Sequence, residues 1–255
     1  MAPFAVIVKK PTFRNRPHSD HCDASLKTTT MTSKSPIIQR LDEVQGRLAS
    51  LLKPVGFTRK GRAFKRETES GIFQIIALQA GRFELGPPLP DPVKHLRPDN
   101  YGAFTVNIGV YVEEMFERTN PPRNPKRVID DAHCNIRTRL SAITDNDDQW
   151  WSLMEDCNEL VDDIGALLLH VGIPFLQRFS SREKIVRDWI SFNETDRRLT
   201  QVARLDVAMV LLRSGDRDGA RRLFQQHLGR TELPHHAAYV RKLAEELGLG
   251  CLDES

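Results

Sequence analysis

The chain reads as an α+β fold, an antiparallel sheet of about four strands covered by helices and followed by a C-terminal helical appendage. Three observations predict it. Apolar residues Ile37, Leu41, Val44, Leu48 and Leu51/Leu52 recur at three-and-four spacing until Pro54 and Gly56 stop the repeat. The text then changes to period 2, most clearly where Phe104, Val106, Ile108, Val110 and Val112 alternate with Thr105, Asn107, Gly109 and Tyr111. From Trp150 onward the helical period returns and persists to the end.

Each element follows from local signals. Ser35-Pro36 starts the first helix and Lys53-Pro54 ends it. After Gly56-Phe57 comes a short strand to Gly61, or a turn there, then a strand over Arg62 to Thr68, a turn at Glu69 to Gly71, and a strand over Ile72 to Gln79. Residues 81–100 read as loop, and Phe104 to Val112 as a half-buried strand. The segment Asn120 to Arg127 is a second loop, and Cys134, Ile136, Thr138 and Leu140 form the apolar side of a fourth strand against Asn135, Arg137 and Arg139. Leu153, Cys157, Leu160, Val161, Ile164, Leu167 and Leu168 share a helix face from Trp150 until His170 and Gly172 end it. Ile173 to Phe179 is an apolar connector, and Ser180-Ser181 caps a short helix through Ile190. Three further helices follow, centred on Leu205 to Leu212, Ala220 to Leu228 and Ala237 to Leu247. The expected organisation is a tail at 1–35, an α+β domain at 36–192 and a helical segment at 193–255 packed on it.

The stretches KPVGFTRKGRAFKR, IFQIIALQ, FTVNIGVYV, CNIRTRLS and QWW, in that order, resemble the bacterial family called domain of unknown function 4304 over roughly residues 36–250. The resemblance implies an α+β fold and a bacterial-type intracellular protein, with no activity, cofactor or catalytic residue to carry over. The loop Gly86 to Pro98, with five prolines, departs from it by its length. The C-terminal pair around the Ser214-Gly215-Asp216 turn resembles a single tetratricopeptide-type hairpin, though His227 stands where a small residue is usual. One such hairpin cannot form a solenoid, which needs about three units to bury a continuous core.

Composition narrows the function classes. The formal charge is +3, but residues 1–35 hold six Lys/Arg against two Asp, a net +4 that leaves −1 over residues 36–255. Bulk charge therefore gives no argument for a polyanion partner, and nucleic acid is disfavoured. Four dispersed cysteines without a C-x-x-C pair point to reduced thiols. No run approaches the ~18 apolar residues of a membrane span, and Ala5 to Val8 followed by Lys9-Lys10 has the wrong order for a signal peptide. A cytoplasmic location is the expectation. His133, Cys134, Cys157, His170, His235 and His236 lack metal-ligand spacing, so neither a metal nor a cofactor is expected.

Two constellations carry chemistry. The basic run Lys53, Arg59, Lys60, Arg62, Lys65 and Arg66, uninterrupted by acid, is a local anion site or a charged edge strand. If the odd residues of the third and fourth strands share a sheet face, Thr105, Asn107, Tyr111, Asn135, Arg137 and Arg139 gather there. That face is either a binding surface or the wet side of a half-buried sheet, on which Asn107→Asp should be mild. The candidate ligand-binding set is therefore Arg62, Lys65, Asn107, Tyr111, Arg137 and Arg139. The acidic run Glu155, Asp156, Glu159, Asp162 and Asp163 reads as the solvated face of its helix or as the partner of those arginines, and Trp150-Trp151 as a core anchor.

The reading these residues support is a non-catalytic binding module for a protein partner or a small anionic ligand, immunity- or antitoxin-like by family and fold analogy. The rival is an enzyme acting on a phosphate-containing or nucleic-acid substrate. A pocket joining the arginines to His133 or a carboxylate favours the enzyme, and a shallow open face the binder. Residues 1–35 lack a periodic apolar face, and Met31 is a second candidate start. A chain beginning at Met31 should therefore melt within a few degrees of the full chain, and a larger loss would mean that the tail packs.

Overall fold

A computed structural model describes residues 34–81, 100–120, 129–144, 148–192 and 202–252. The tail before residue 34 and the proline-rich loop at 86–98 lie outside them. The first helix, α1 (Pro36–Leu52), starts where the sequence places it: Ser35 accepts a hydrogen bond from the Ile38 N–H, and Pro36 occupies the first turn. Its inner face is Leu41, Val44, Gln45, Leu48 and Leu52. The buried Gln45 is not an error in that stripe, because its amide donates to the Gly61 carbonyl at 2.6 Å and so ties the helix to the sheet edge.

The sheet contains β1 (Thr58–Lys60), β2 (Ala63–Glu69), β3 (Ile72–Ala80), β4 (Ala103–Val112), β5 (Ile136–Arg139) and β6 (Trp151–Ser152). All pairings are antiparallel in the order β1-β2-β3-β4-β5, with β6 pairing the first residues of β4. The four strands expected from sequence are present, the segment before Gly61 is a strand rather than a turn, and β6 is an addition. The Trp pair does not begin a helix. Trp151 is a strand residue opposite Phe104, buried against its ring at a centroid distance of 6.1 Å.

The even residues of β4, from Phe104 to Val112, are fully buried in the main core. This face is covered by helices: α3 (Cys157–Leu167) packs on α1, and α4 (Ile173–Gln177) packs on β4. Asp156 caps α3, and the acidic residues of that helix face solvent. The chain does not leave the helix at Gly172. A wide π turn at Leu168–Gly172 carries it into α4, with Pro174 in the first turn, where its missing N–H costs nothing. Beyond it lies α5 (Arg182–Phe192), whose first turn is capped by Ser181.

The odd residues of β4 contradict the half-buried expectation. Thr105, Asn107 and Tyr111 are all buried. The chain between Ile129 and Cys134 lies across this face, and Ile75, Ala77 and Tyr111 form a second, smaller apolar cluster with Phe73, Phe116, Ile129 and Cys134 around it. Gly109 makes the approach feasible: a Cβ there would meet the Cys134 Cβ at 2.7 Å. Cys134 therefore sits on the side of Gly109 and Tyr111 rather than sharing a face with Ile136.

A helix that the sequence reading missed, α2 (Glu113–Thr119), continues directly from β4. It packs on α6 (Arg204–Arg213), on which α7 (Arg217–Leu228) packs in turn, and α8 (Pro234–Glu246) packs on α7. Arg118 on α2 pairs with Asp206 on α6 at 2.7 Å, and α6 packs on both α2 and α5. Leu205, Val207, Val210, Phe224 and Val240 belong to the same core cluster as the sheet's inner face, and the described residues from Ser35 onward form one compact unit.

The hinge point of this assembly is Arg182. Its guanidinium takes Glu114 in a two-pronged contact at 2.8 and 2.9 Å and also donates to Glu69 (2.6 Å) and the Ser70 carbonyl (3.0 Å), while its backbone N–H reaches Glu69 at 3.0 Å. Burial opposes the charge, but the hydrogen bonds it donates to Glu114 and Glu69 more than offset this, so the guanidinium is held more firmly protonated than usual. One side chain thus joins the β2–β3 turn, α2 and α5. Arg182→Met should cost about 3–5 kcal/mol in chemical denaturation because it leaves Glu114 buried without its partner. Adding Glu114→Leu should recover part of that loss. If Arg182→Met melts like the unmodified protein, the network is not what joins these elements.

Candidate functional site

Antiparallel register decides which side chains meet on the second sheet face. Lys60, Ala63, Ala77, Asn107 and Arg139 are successive cross-strand partners and form one row. Thr58, Lys65, Ile75, Gly109 and Arg137 form the next. The first row is cationic at both ends with Ala63 and Ala77 between them, and the second carries Lys65 and Arg137 on either side of Ile75 and Gly109. Three strand spacings, about 14 Å, separate the backbone of Lys65 from that of Arg137. Between them lies a cleft of about 920 Å³ floored by Ala63 and Ala77 and bounded by Lys60, Arg62, Lys65, Asn107, Asp131 and Arg137, with Trp150 at one end. This volume suits a small-molecule ligand.

Four of the six residues selected from sequence, Arg62, Lys65, Asn107 and Arg137, line this cleft. The other two do not. Tyr111 lies in the small apolar cluster, between the rings of Phe73 and Phe116 at 6.1 and 5.4 Å. Arg139 pairs with Asp148 and lies 5.4 Å from the Trp150 ring. Neither arginine of β5 has its ion pair with the acidic helix α3: Arg137 pairs with Asp131 at 3.4 Å. Those aspartates are six and nine residues away in the chain, in turns where periodicity gives no signal.

Asn107 is a fixed part of the cleft wall rather than a solvent-side residue. It is 3% exposed, and its amide nitrogen donates to Gln79 at 2.8 Å and to Asp131 at 3.0 Å. Asp131 thus receives Asn107 and Arg137 together. Its neighbour Asp130 accepts from the Ala132 N–H and contacts His133 in a reciprocal cap of the short 3-10 turn Asp131–His133. The cleft therefore joins arginines to carboxylates, and both carboxylates already brace the wall.

The positive end differs. Arg62 Nη2 meets Asp42 at 3.1 Å, while its Nη1 is buried with no hydrogen-bond partner among the described residues. Lys65 lies over the Phe73 ring, its Nζ 3.7 Å from the centroid. Burial lowers its pKa, Glu67 partly opposes this, and Lys60 lowers it further. No carboxylate lies within ion-pair distance of Lys60 or Lys65 among the described residues. Arg66, from the same basic run, is used otherwise: it donates to Gln74 and to the Val55 carbonyl and covers Phe57 on the helix-facing side. Lys60, Gln79, Asp130, Asp131 and Trp150 were not selected from sequence. Lys60 could have been, since it stands in the basic run, whereas the others depend on register and on a loop crossing the face.

Asn107→Asp should be strongly destabilising, contrary to the expectation from strand alternation. It removes a donor to two acceptors and sets a buried carboxylate against Asp131, a cost of about 3–5 kcal/mol at neutral pH. Like charge and burial raise the pKa of the new group, so protonation restores a donor and the deficit should shrink as pH falls. Urea denaturation at neutral and acid pH checks both points.

A search of curated proteins and a search of solved structures each find no match. Residues 95–178 match the family model described as Domain of unknown function (DUF4304). This is narrower than the resemblance read over roughly 36–250. It runs through β4, α2, β5, β6, α3 and α4, and leaves α1, the β1–β3 strands with Lys60 and Lys65, and the C-terminal helices outside. Similarity to that family is therefore confined to residues 95–178.

Proposed function

We propose that the protein is a binding module that takes an anionic group, a phosphate or carboxylate on a small ligand or a partner's side chain, in the cleft on its second sheet face. The observation that carries this reading is the charge of Lys60 and Lys65, which have no ion-pair partner among the described residues, beside Arg62 Nη1, which has no hydrogen-bond partner among them. A buried donor without an acceptor is costly, and an anion oxygen would satisfy it. The small side chains of the floor leave room, and Arg137 supplies a cation on the opposite wall. Nothing in this reading requires bond-making, and it is compatible with a cytosolic protein whose partner is acidic.

A second reading, an enzyme on phosphate-containing substrates, rests on Asp130 and Asp131 beside the same cations. Their existing hydrogen bonds make it the weaker of the two. Asp130→Asn separates them: loss of p-nitrophenyl phosphate turnover at unchanged pyrophosphate affinity would favour the enzyme.

Titration calorimetry with inorganic pyrophosphate tests the main proposal. Lys60→Gln with Lys65→Gln should weaken binding at least ten-fold and leave the melting temperature nearly unchanged, since exposed or half-exposed charges contribute little to stability. Binding to the unmodified protein should weaken with ionic strength. It should also weaken as pH rises through the titration of Lys65, whose charged form burial already disfavours. Equal affinity in the double variant would contradict the proposal.

A further inference from the structure

Helix α8 is tied to α7 at both ends. At its C-terminal end Arg217 donates to the carbonyls of Leu247 and Gly248, and Arg221 donates to that of Cys251 at 2.9 Å. At its N-terminal end the tie is a pair of imidazoles. His227 Nε2 on α7 and His236 Nε2 on α8 lie 2.9 Å apart, with the rings at 67°, and Tyr239 stacks on His236 at 5.9 Å. Such a contact needs one nitrogen to donate and the other to accept. One added proton can be shared between the rings, but two cannot, because both nitrogens would then be donors pointed at each other.

The surroundings oppose charging the pair. Arg204 on α6 and Arg118 on α2 both act on His227, and Arg230, after α7, acts on Arg204. Asp206 on α6 is engaged by Arg118, and no carboxylate is among the groups acting on His227. The other ionisable groups on α8 near the contact are the exposed His235 and Tyr239. The same cations disfavour a metal ion between the rings.

We propose that the His227–His236 contact is an acid-released latch, holding α8 on α7 near neutral pH and letting it go when both rings are protonated. Burial first, then His236, Arg204 and Arg118, lower the pKa of His227 below its ordinary 6.5. The sign follows: the open state binds more protons than the closed one, so the latch is fully effective above pH 6.5 and weakens as pH falls below it. The ties from Arg217 and Arg221 are hydrogen bonds to backbone carbonyls beyond the other end of α8, so the helix opens from its N-terminal end. Opening exposes Val240 and Ala244, the buried residues of α8, an apolar surface that is absent at neutral pH.

Hydrogen exchange of the full chain at pH 7.5 and 5.0, corrected for intrinsic rates, tests the latch. Protection across residues 235–246 should fall at least ten-fold more than protection in α1, and His227→Gln with His236→Gln should abolish that difference. An equal fall in α1, or an unchanged difference in the variant, would overturn the proposal. A proton NMR titration of the imidazoles in the unmodified protein gives an answer independent of whether the variant folds. Two coupled steps, the second well below 6.5, support the latch, and two independent titrations at the ordinary value refute it.

Discussion

The register of β4 against β3 and β5 is the constraint on which the rest depends. Because side chains alternate, that register sends Phe104, Val106, Ile108, Val110 and Val112 into the helix-covered core and brings Ala77, Asn107 and Gly109 to the other face. A slip of one residue would exchange the two sets. The core would then hold Asn107, and the hollow that receives Cys134 would be filled by Ile108 or Val110. The apolar inner face makes the register non-negotiable, and the cationic cleft on the outer face is a by-product of the same pairing.

Charge then divides into two kinds. Arg182, Arg118 and Arg66 are enclosed by acceptors and join elements: the hairpin turn to α2 and α5, α2 to α6, and the end of α1 to β3. Lys60 and Lys65 serve no such joint. They stand at a cleft edge where burial lowers the pKa of Lys65, Glu67 offsets this only in part, and no carboxylate among the described residues pairs with either lysine. A cation kept at such a place without structural use is the feature that most distinguishes this surface from an ordinary solvated sheet.

Much of the architecture was legible because it depends on local pattern. Ser35-Pro36, the alternation from Phe104, and the Ser180-Ser181 cap each specify an element from neighbours a few residues away. The failures share a cause in chain separation. The alternation of β4 gives the inner face correctly but says nothing about Ile129 and Cys134 crossing the outer one, so Asn107 reads as wet. Gly172 reads as a helix stop because glycine commonly is one, yet here it permits Leu140 to approach, a Cβ at that point lying 3.0 Å from its methyl. Trp150-Trp151 signals a core anchor and Trp151 is one, but whether it anchors as helix or strand is decided by pairing with Phe104. Of the candidate site, the basic run and the odd positions were readable, while their meeting in one cleft and the bracing by Asp131 were not.

We propose that sheet register builds an anion-accepting cleft between Lys60/Lys65 and Arg137. Backbone amide chemical-shift mapping with added pyrophosphate tests this most directly. The account predicts saturable shifts concentrated at Lys60 to Lys65, Ala77 to Gln79, Asn107 and Arg137, with the basic face of α7 at Arg217, Arg221 and Arg222 unaffected. Shifts concentrated on α7, or spread evenly over exposed basic residues, would contradict it.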